Sequence, residues 1–266
     1  AQPIGSTLPP HDLEILVNEF AIRSFRDTAD RDYVHARLAY RARLVPQFLW
    51  SSLHSLEKYV KSILILNRLN GTKIGHEVTK GLQRINEYGK FEIPISETAE
   101  KFIKRLENGS AYRYFEFSYE NRAYDILRLD YAVWEIRRYC QVLDYNVEIN
   151  GIFKNQLEVN LQRIRTAKKE DRKGSCINNG WIENVIDTKA HHSREPLLWR
   201  NLYFGQSKRR KARLHYFIEA GNSPLSLHPE LLNEVTKYVH IPKAVKLSYE
   251  EYINSGENWD KSTGDA

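Results

Sequence analysis

LWSSLHSLEKYVKSILILNRLNG, residues 49–71, carries the clearest periodicity in the 266-residue chain. Leu49, Leu53, Leu56, Val60 and Ile63 recur at alternating intervals of four and three. That spacing sets them on one side of an α-helix, an apolar stripe turned toward a core. Glu57 and Lys61 stand at i, i+4 in the favourable order and support the same helix. Asn70-Gly71 marks its end.

On the N-terminal side, Asp12 is a candidate cap for a helix to about Arg26, with Leu13, Leu16, Val17 and Phe20 on one face. A second helix is expected from about Asp30, turning Val34, Leu38 and Val45 inward, and Pro46 forces a kink or restart. On the C-terminal side, short helices are expected from His76 to Tyr88 and from Ser96, a cap, to Asn108, closed by Gly109. A long helix from Tyr119 to Asp144 follows from the stripe Ile126, Leu129, Val133, Ile136, Cys140 and Leu143. Beyond Asn150-Gly151 the texture changes. A helix is expected over 152–167 with Phe153, Leu157, Leu161 and Ile164 inward, then a loop over 168–180, a partly helical stretch broken at Pro196, and a last short helix from Pro229. There is little period-two alternation. The fold class is mainly all-α: a helical bundle over residues 1–150 and a smaller, less regular helical extension over 151–266.

Composition narrows the setting. No apolar run approaches the roughly 20 residues that span a bilayer, so no membrane partner is expected. The first residues lack the basic-then-apolar pattern of a signal peptide. Two cysteines, Cys140 and Cys176, are too few for a disulfide framework and lack zinc-type spacing, which fits reduced thiols in a cytoplasm. The net charge of +6 permits an anionic partner without requiring one.

ADRDYVHARLAYRARLVPQFLWSSLHSLEKYVKSILILNRLNGTKIGHEVTKGL, residues 29–82, resembles the HEPN family. A helix rich in Asp, Tyr, Ala and Arg precedes one carrying Glu57, Lys58, Lys61 and Leu64 at the family's spacing. A glycine-containing turn then leads to His76-Glu77. The resemblance covers about half the chain. It implies an antiparallel bundle of four or five helices, a homodimer, and RNA or nucleotide handling, with nucleotidyltransferases or antitoxins as partners of some members. No cofactor and no metal are expected.

The family's ribonucleases carry Arg-x4–6-His near the start of the last core helix. There histidine moves a proton while arginine holds phosphate. Arg122 is in place here, but Leu127, Arg128 and Leu129 stand where histidine would fall. Arg209 or Arg210 with His215 gives the only matching spacing, outside the expected bundle. Arg122, Arg210 and His215 are therefore the catalytic candidates. His54 and His76 read as packed side chains, and the adjacent His191 and His192 point about 100° apart, a poor arrangement for one metal.

The binding candidates are Arg37, Arg41 and Arg122 on the bundle, with Lys208, Arg209, Arg210, Lys211 and Arg213 in the basic segment flanked by aromatics. Cations neutralise phosphate and aromatic faces stack bases. The expected function is RNA or nucleotide binding without ribonuclease activity. The alternatives are a metal-independent RNA-cleaving toxin or defence ribonuclease, and a non-catalytic interaction or dimerisation module.

Overall fold

The computed structural model describes residues 9–72, 74–108, 118–167, 177–204, 215, 217–241 and 243–255. It is mainly helical with two small antiparallel sheets. Helix α1 (Pro10–Phe20), a π-helical segment (Ala21–Arg26) and α2 (Asp27–Arg41) form one continuous rod. A left-handed Arg43 (φ 59°) turns the chain into α3 (Val45–Leu66), with Pro46 in its first turn. The short connection over 42–44 makes α2 and α3 antiparallel neighbours, and among the described residues they form the most extensive contact between two elements. Helices α4 (Val78–Tyr88), α5 (Glu97–Asn108) and α6 (Asp125–Arg137) also pack on α3, which sits centrally.

The reason lies in what α3 presents on each side. Leu49, Leu53, Leu56, Val60 and Ile63 are all buried, as their spacing predicts. Beside this stripe four small residues, Ser51, Ser52, Ser55 and Ser62, are buried too. Their hydroxyls are satisfied inside the fold, Ser52 by donating to the Phe48 carbonyl (2.6 Å) and Ser62 by donating to the Ala21 carbonyl (3.0 Å) in the π segment. Ala29, Ala36 and Ala39 meet α3 from α2. On the α4 side Gly81 permits a close approach, since a Cβ there would lie 2.4 Å from the Val60 Cγ1.

Several expected elements take another form. The long helix expected over 119–144 begins at Asp125 and ends at Arg137, although its stripe is buried, Cys140 and Leu143 included. Residues Tyr119–Arg122 form strand β1 instead. The expected helix over 152–167 is replaced at its start by a hairpin, β2 (Asn146–Ile149) with β3 (Ile152–Asn155), and only α7 (Leu157–Thr166) is helical. Phe153 lies on β3 and is 71% exposed, not inward. Asn150 and Gly151 adopt φ of 53° and 77°, the left-handed pair that a tight two-residue hairpin turn requires. Helix α1 starts at Pro10 without a side-chain cap, so Asp12 is not the cap, and Leu13, Leu16, Phe20 and Leu38 are exposed rather than inward.

Packing continues across residue 150. Leu161 and Ile164 of α7, Ile182, Val185 and Ile186 of α8 (Trp181–Asp187) and Leu197 of α9 (Arg194–Leu198) share one apolar cluster with the bundle helices. Strand β4 (Ile218–Gly221) pairs antiparallel with β1, Arg122 opposite Ile218. A separate small cluster, Leu225, Leu232, Ile241, Val245 and Tyr249, joins α10 (Pro224–Leu227), α11 (Leu232–Val235) and α12 (Lys243–Ser255), the last of which has no counterpart in the sequence-based expectation. No helix among the described residues is long and apolar enough to cross a membrane.

Buried charge ties α8 to the bundle. Arg137 at the end of α6 donates to both oxygens of Asp30 on α2 (2.7 and 2.9 Å) and both oxygens of Glu183 on α8 (2.8 Å each). Burial raises the Glu183 carboxyl, but Arg137 and the Ile177 backbone N–H outweigh it and hold the group below the usual carboxylate range. A depressed folded value means stability that is present above the unfolded value and lost as pH falls through the folded one. The urea midpoint of the wild type is therefore expected to fall between pH 5 and pH 3 by more than that of Glu183→Gln; equal falls would show that Glu183 is not coupled to folding.

Candidate anion-binding site

Asp125, at the first turn of α6, organises a basic groove. Its side chain is fully buried. One oxygen accepts the backbone N–H of Arg122 (2.8 Å) and faces Arg105 Nη2 (2.6 Å), while the other accepts from Arg128 Nη1 (2.8 Å). A single carboxylate thus gathers α5, β1 and α6 at one point and holds two guanidinium groups beside a third residue's backbone. Arg122 lies at the end of β1, and its Nε donates to Glu120.

The turn between β1 and α6 is fixed from behind. Tyr40 donates its hydroxyl to the Ala123 carbonyl (2.7 Å), and burial pushes that phenol up to about 12. The Ala123 N–H donates to the Phe217 carbonyl just before β4 (3.0 Å). The groove in front has a volume of about 320 Å³ and is lined by Lys101, Phe102, Arg105, Glu120, Arg122 and Arg128, with Thr98 at its edge. Four cations there face the carboxylates of Glu120 and Asp125, and Lys101 also reaches Glu97 (2.7 Å). The excess is positive. Arg122, Arg128 and Arg105 keep 45%, 36% and 30% of their side chains exposed, enough to meet an incoming anion.

The sequence-derived candidates separate clearly. Arg122 belongs to this groove. Arg37 does not: it is fully buried, donating Nε to the Pro196 carbonyl (3.1 Å), Nη1 to Asp130 and Nη2 to the Trp199 carbonyl. A guanidinium so enclosed cannot reach a nucleic acid, which corrects its assignment as a binding residue. Arg41 is partly exposed, pairs with Glu195 (2.5 Å) and lies over the Trp199 ring. His215 is exposed just before β4. Lys208, Arg209, Arg210, Lys211 and Arg213 lie outside the described residues, and so does Cys176.

Sequence reasoning missed Lys101, Arg105 and Arg128. Lys101 and Arg105 stand at i, i+4 on α5, a spacing that puts both on one face, and this was the available signal. Their meeting with Arg122 depends on α5 packing against α6, which local periodicity does not encode.

A second constellation lies on α3 and the loop before α4. His54 and Glu57 on α3 and His76 before α4 bring one candidate metal-ligating atom each within 4.8 Å of the others. Glu57 accepts from Lys61 (2.5 Å) and lies 2.8 Å from His76 Nδ1. Burial opposes the charge on Glu57, but these two partners hold its carboxyl below the usual range. Burial also lowers His54, against the pull of Glu57 and Asp32. The rings of His54 and His76 stack, and Trp50 packs on His54. His191, by contrast, accepts the Ser193 N–H (3.1 Å) and meets Trp181 edge to face.

Fold and site together define a mainly helical protein with a basic groove on its surface. Compared with known proteins, the chain matches no family, no curated protein and no solved structure.

Proposed function

We propose that this protein binds RNA or a nucleotide through the Arg105–Arg122–Arg128 groove, in keeping with the HEPN resemblance of residues 29–82. One observation carries the reading: a fully buried carboxylate holds the guanidinium groups of Arg105 and Arg128 and the backbone of Arg122, whose own guanidinium opens to the same groove. Guanidinium forks match phosphate oxygens in geometry and charge. The groove's lining residues include no histidine among those described, so its chemistry is that of holding an anion, not of moving a proton. The setting is then the cytoplasm, where RNA is abundant. A homodimer, with a nucleotidyltransferase or antitoxin partner, belongs to the same proposal and follows from the resemblance alone.

Titration of a labelled single-stranded RNA by fluorescence anisotropy tests it. Affinity should fall steeply with salt, and Arg122→Glu/Arg128→Glu should weaken binding about tenfold or more at low salt. The same variant should flatten the log–log salt slope by about 0.7 for each phosphate no longer neutralised. Binding that ignores both salt and substitution would favour an interaction module. Metal-free cleavage of total RNA that disappears in His215→Ala would instead establish the ribonuclease reading.

A further inference from the structure

We propose that His54, Glu57 and His76 form a binding site for a divalent transition-metal ion, with zinc the best match to two imidazoles and one carboxylate. Zinc takes nitrogen and oxygen ligands at about 2.0–2.2 Å in tetrahedral geometry, which sets the ligand atoms about 3.3 Å apart. The three groups already stand within 4.8 Å of one another. His76 lies 2.8 Å from Glu57 and its side chain is 64% exposed, which leaves it room to adjust toward the tetrahedral spacing.

The supports of the site are rigid. His54 and Glu57 are one turn apart on α3, the most enclosed helix of the bundle, so their separation is fixed by the backbone. His76 is delivered by a short loop anchored by the buried Ile74 and turned by Gly75 in the left-handed region (φ 59°). Glu57 presents one oxygen to His76 while Lys61 holds the other, the kind of outer partner that orients a ligating carboxylate. When His76 ligates through Nδ1, its proton resides on Nε2, which points away from Glu57.

Three protein ligands leave a fourth position for water or an exchangeable anion. One carboxylate faces the ion but already pairs with Lys61 through its other oxygen, while the neighbouring Lys58 is paired with Asp32 (2.5 Å). An anionic fourth ligand would offset more of the ion's charge. The competing account is purely structural: Glu57 as an ion-pair hub with His76 as its hydrogen-bond partner. The two differ in what zinc does.

The untagged full chain, stripped with chelator and dialysed, is titrated with zinc against a chromogenic chelator, and the visible spectrum is recorded with cobalt(II). The proposal expects one ion per chain, tetrahedral-type cobalt bands and a zinc-dependent rise in melting temperature. His76→Ala and His54→Gln should each weaken binding about tenfold or more, whereas His192→Ala should leave it unchanged. His76→Ala replaces an exposed side chain and is the variant that decides if His54→Gln does not fold. No stoichiometric zinc, or zinc held as tightly by His76→Ala as by the wild type, overturns the site. RNA binding at the Arg122 groove is unaffected by either result.

Discussion

Arg137→Met is expected to lower the unfolding free energy by about 3–5 kcal/mol, the usual cost of stranding a buried charge. Arg137 is essentially inaccessible, and so is Asp30. The guanidinium satisfies four carboxylate oxygens at once, two on α2 and two on α8, while Tyr59 donates its hydroxyl to Asp30 (2.6 Å). Removing it leaves two carboxylates facing each other in the interior without a counter-charge. Asp30→Asn or Glu183→Gln should cost less, because Arg137 then keeps one full partner. The order of urea midpoints is the measurement, and an Arg137→Met protein within about 1 kcal/mol of wild type would show that water reaches this cluster freely.

Arg37→Ala should produce a loss of similar size, again about 3–5 kcal/mol, without changing the RNA affinity of the folded protein. Its guanidinium neutralises Asp130 on α6 and satisfies two carbonyls, at Pro196 and Trp199, so it fastens α9 and the turn after it onto the bundle. Tyr33 donates to the same Asp130 (2.5 Å) and accepts from Asn201 (2.9 Å), which extends the network. Replacing the pair together, as Arg37→Met/Asp130→Leu, should recover a large part of the stability, since neither charge is then left alone. Arg122→Glu is the opposite case: it should weaken RNA binding and leave the urea midpoint nearly unchanged. A stable Arg37→Ala protein with lost RNA affinity would return Arg37 to the binding surface and contradict its burial.

These two arginines show how far the sequence could be read. The stripe of α3 was legible because every one of its apolar contacts follows from a single helical period. Arg37 was misread because its counter-charge, Asp130, sits in a distant helix, and a charged residue seen alone looks like a surface residue. Arg122 fits the stripe of α6 by spacing, yet it lies in a strand. Asp125 captures its backbone N–H, and the pairing partner is supplied by residues 218–221, far along the chain. The hairpin at Asn150-Gly151 was readable from that dipeptide. The helical reading of residues 152–167 rests instead on Phe153, Leu157, Leu161 and Ile164, which also match a helical spacing, and the structure keeps only the last three in a helix.

The π segment between α1 and α2 has a consequence for how this chain tolerates changes in length. One surplus residue is stored in that widened turn, shown by the Asp27 N–H reaching back to the Ile22 carbonyl, and it rotates everything before it by about 100°. Deleting a residue there would restore regular pitch and swing α1 to a new heading, while the phase of α2 against α3 stayed as it is. A deletion anywhere from Ala29 to Tyr40 has no such reservoir and would throw the interior face of the rod out of step with its neighbour. This segment is therefore where a change of length resets the orientation of α1 and leaves the seam between α2 and α3 in step.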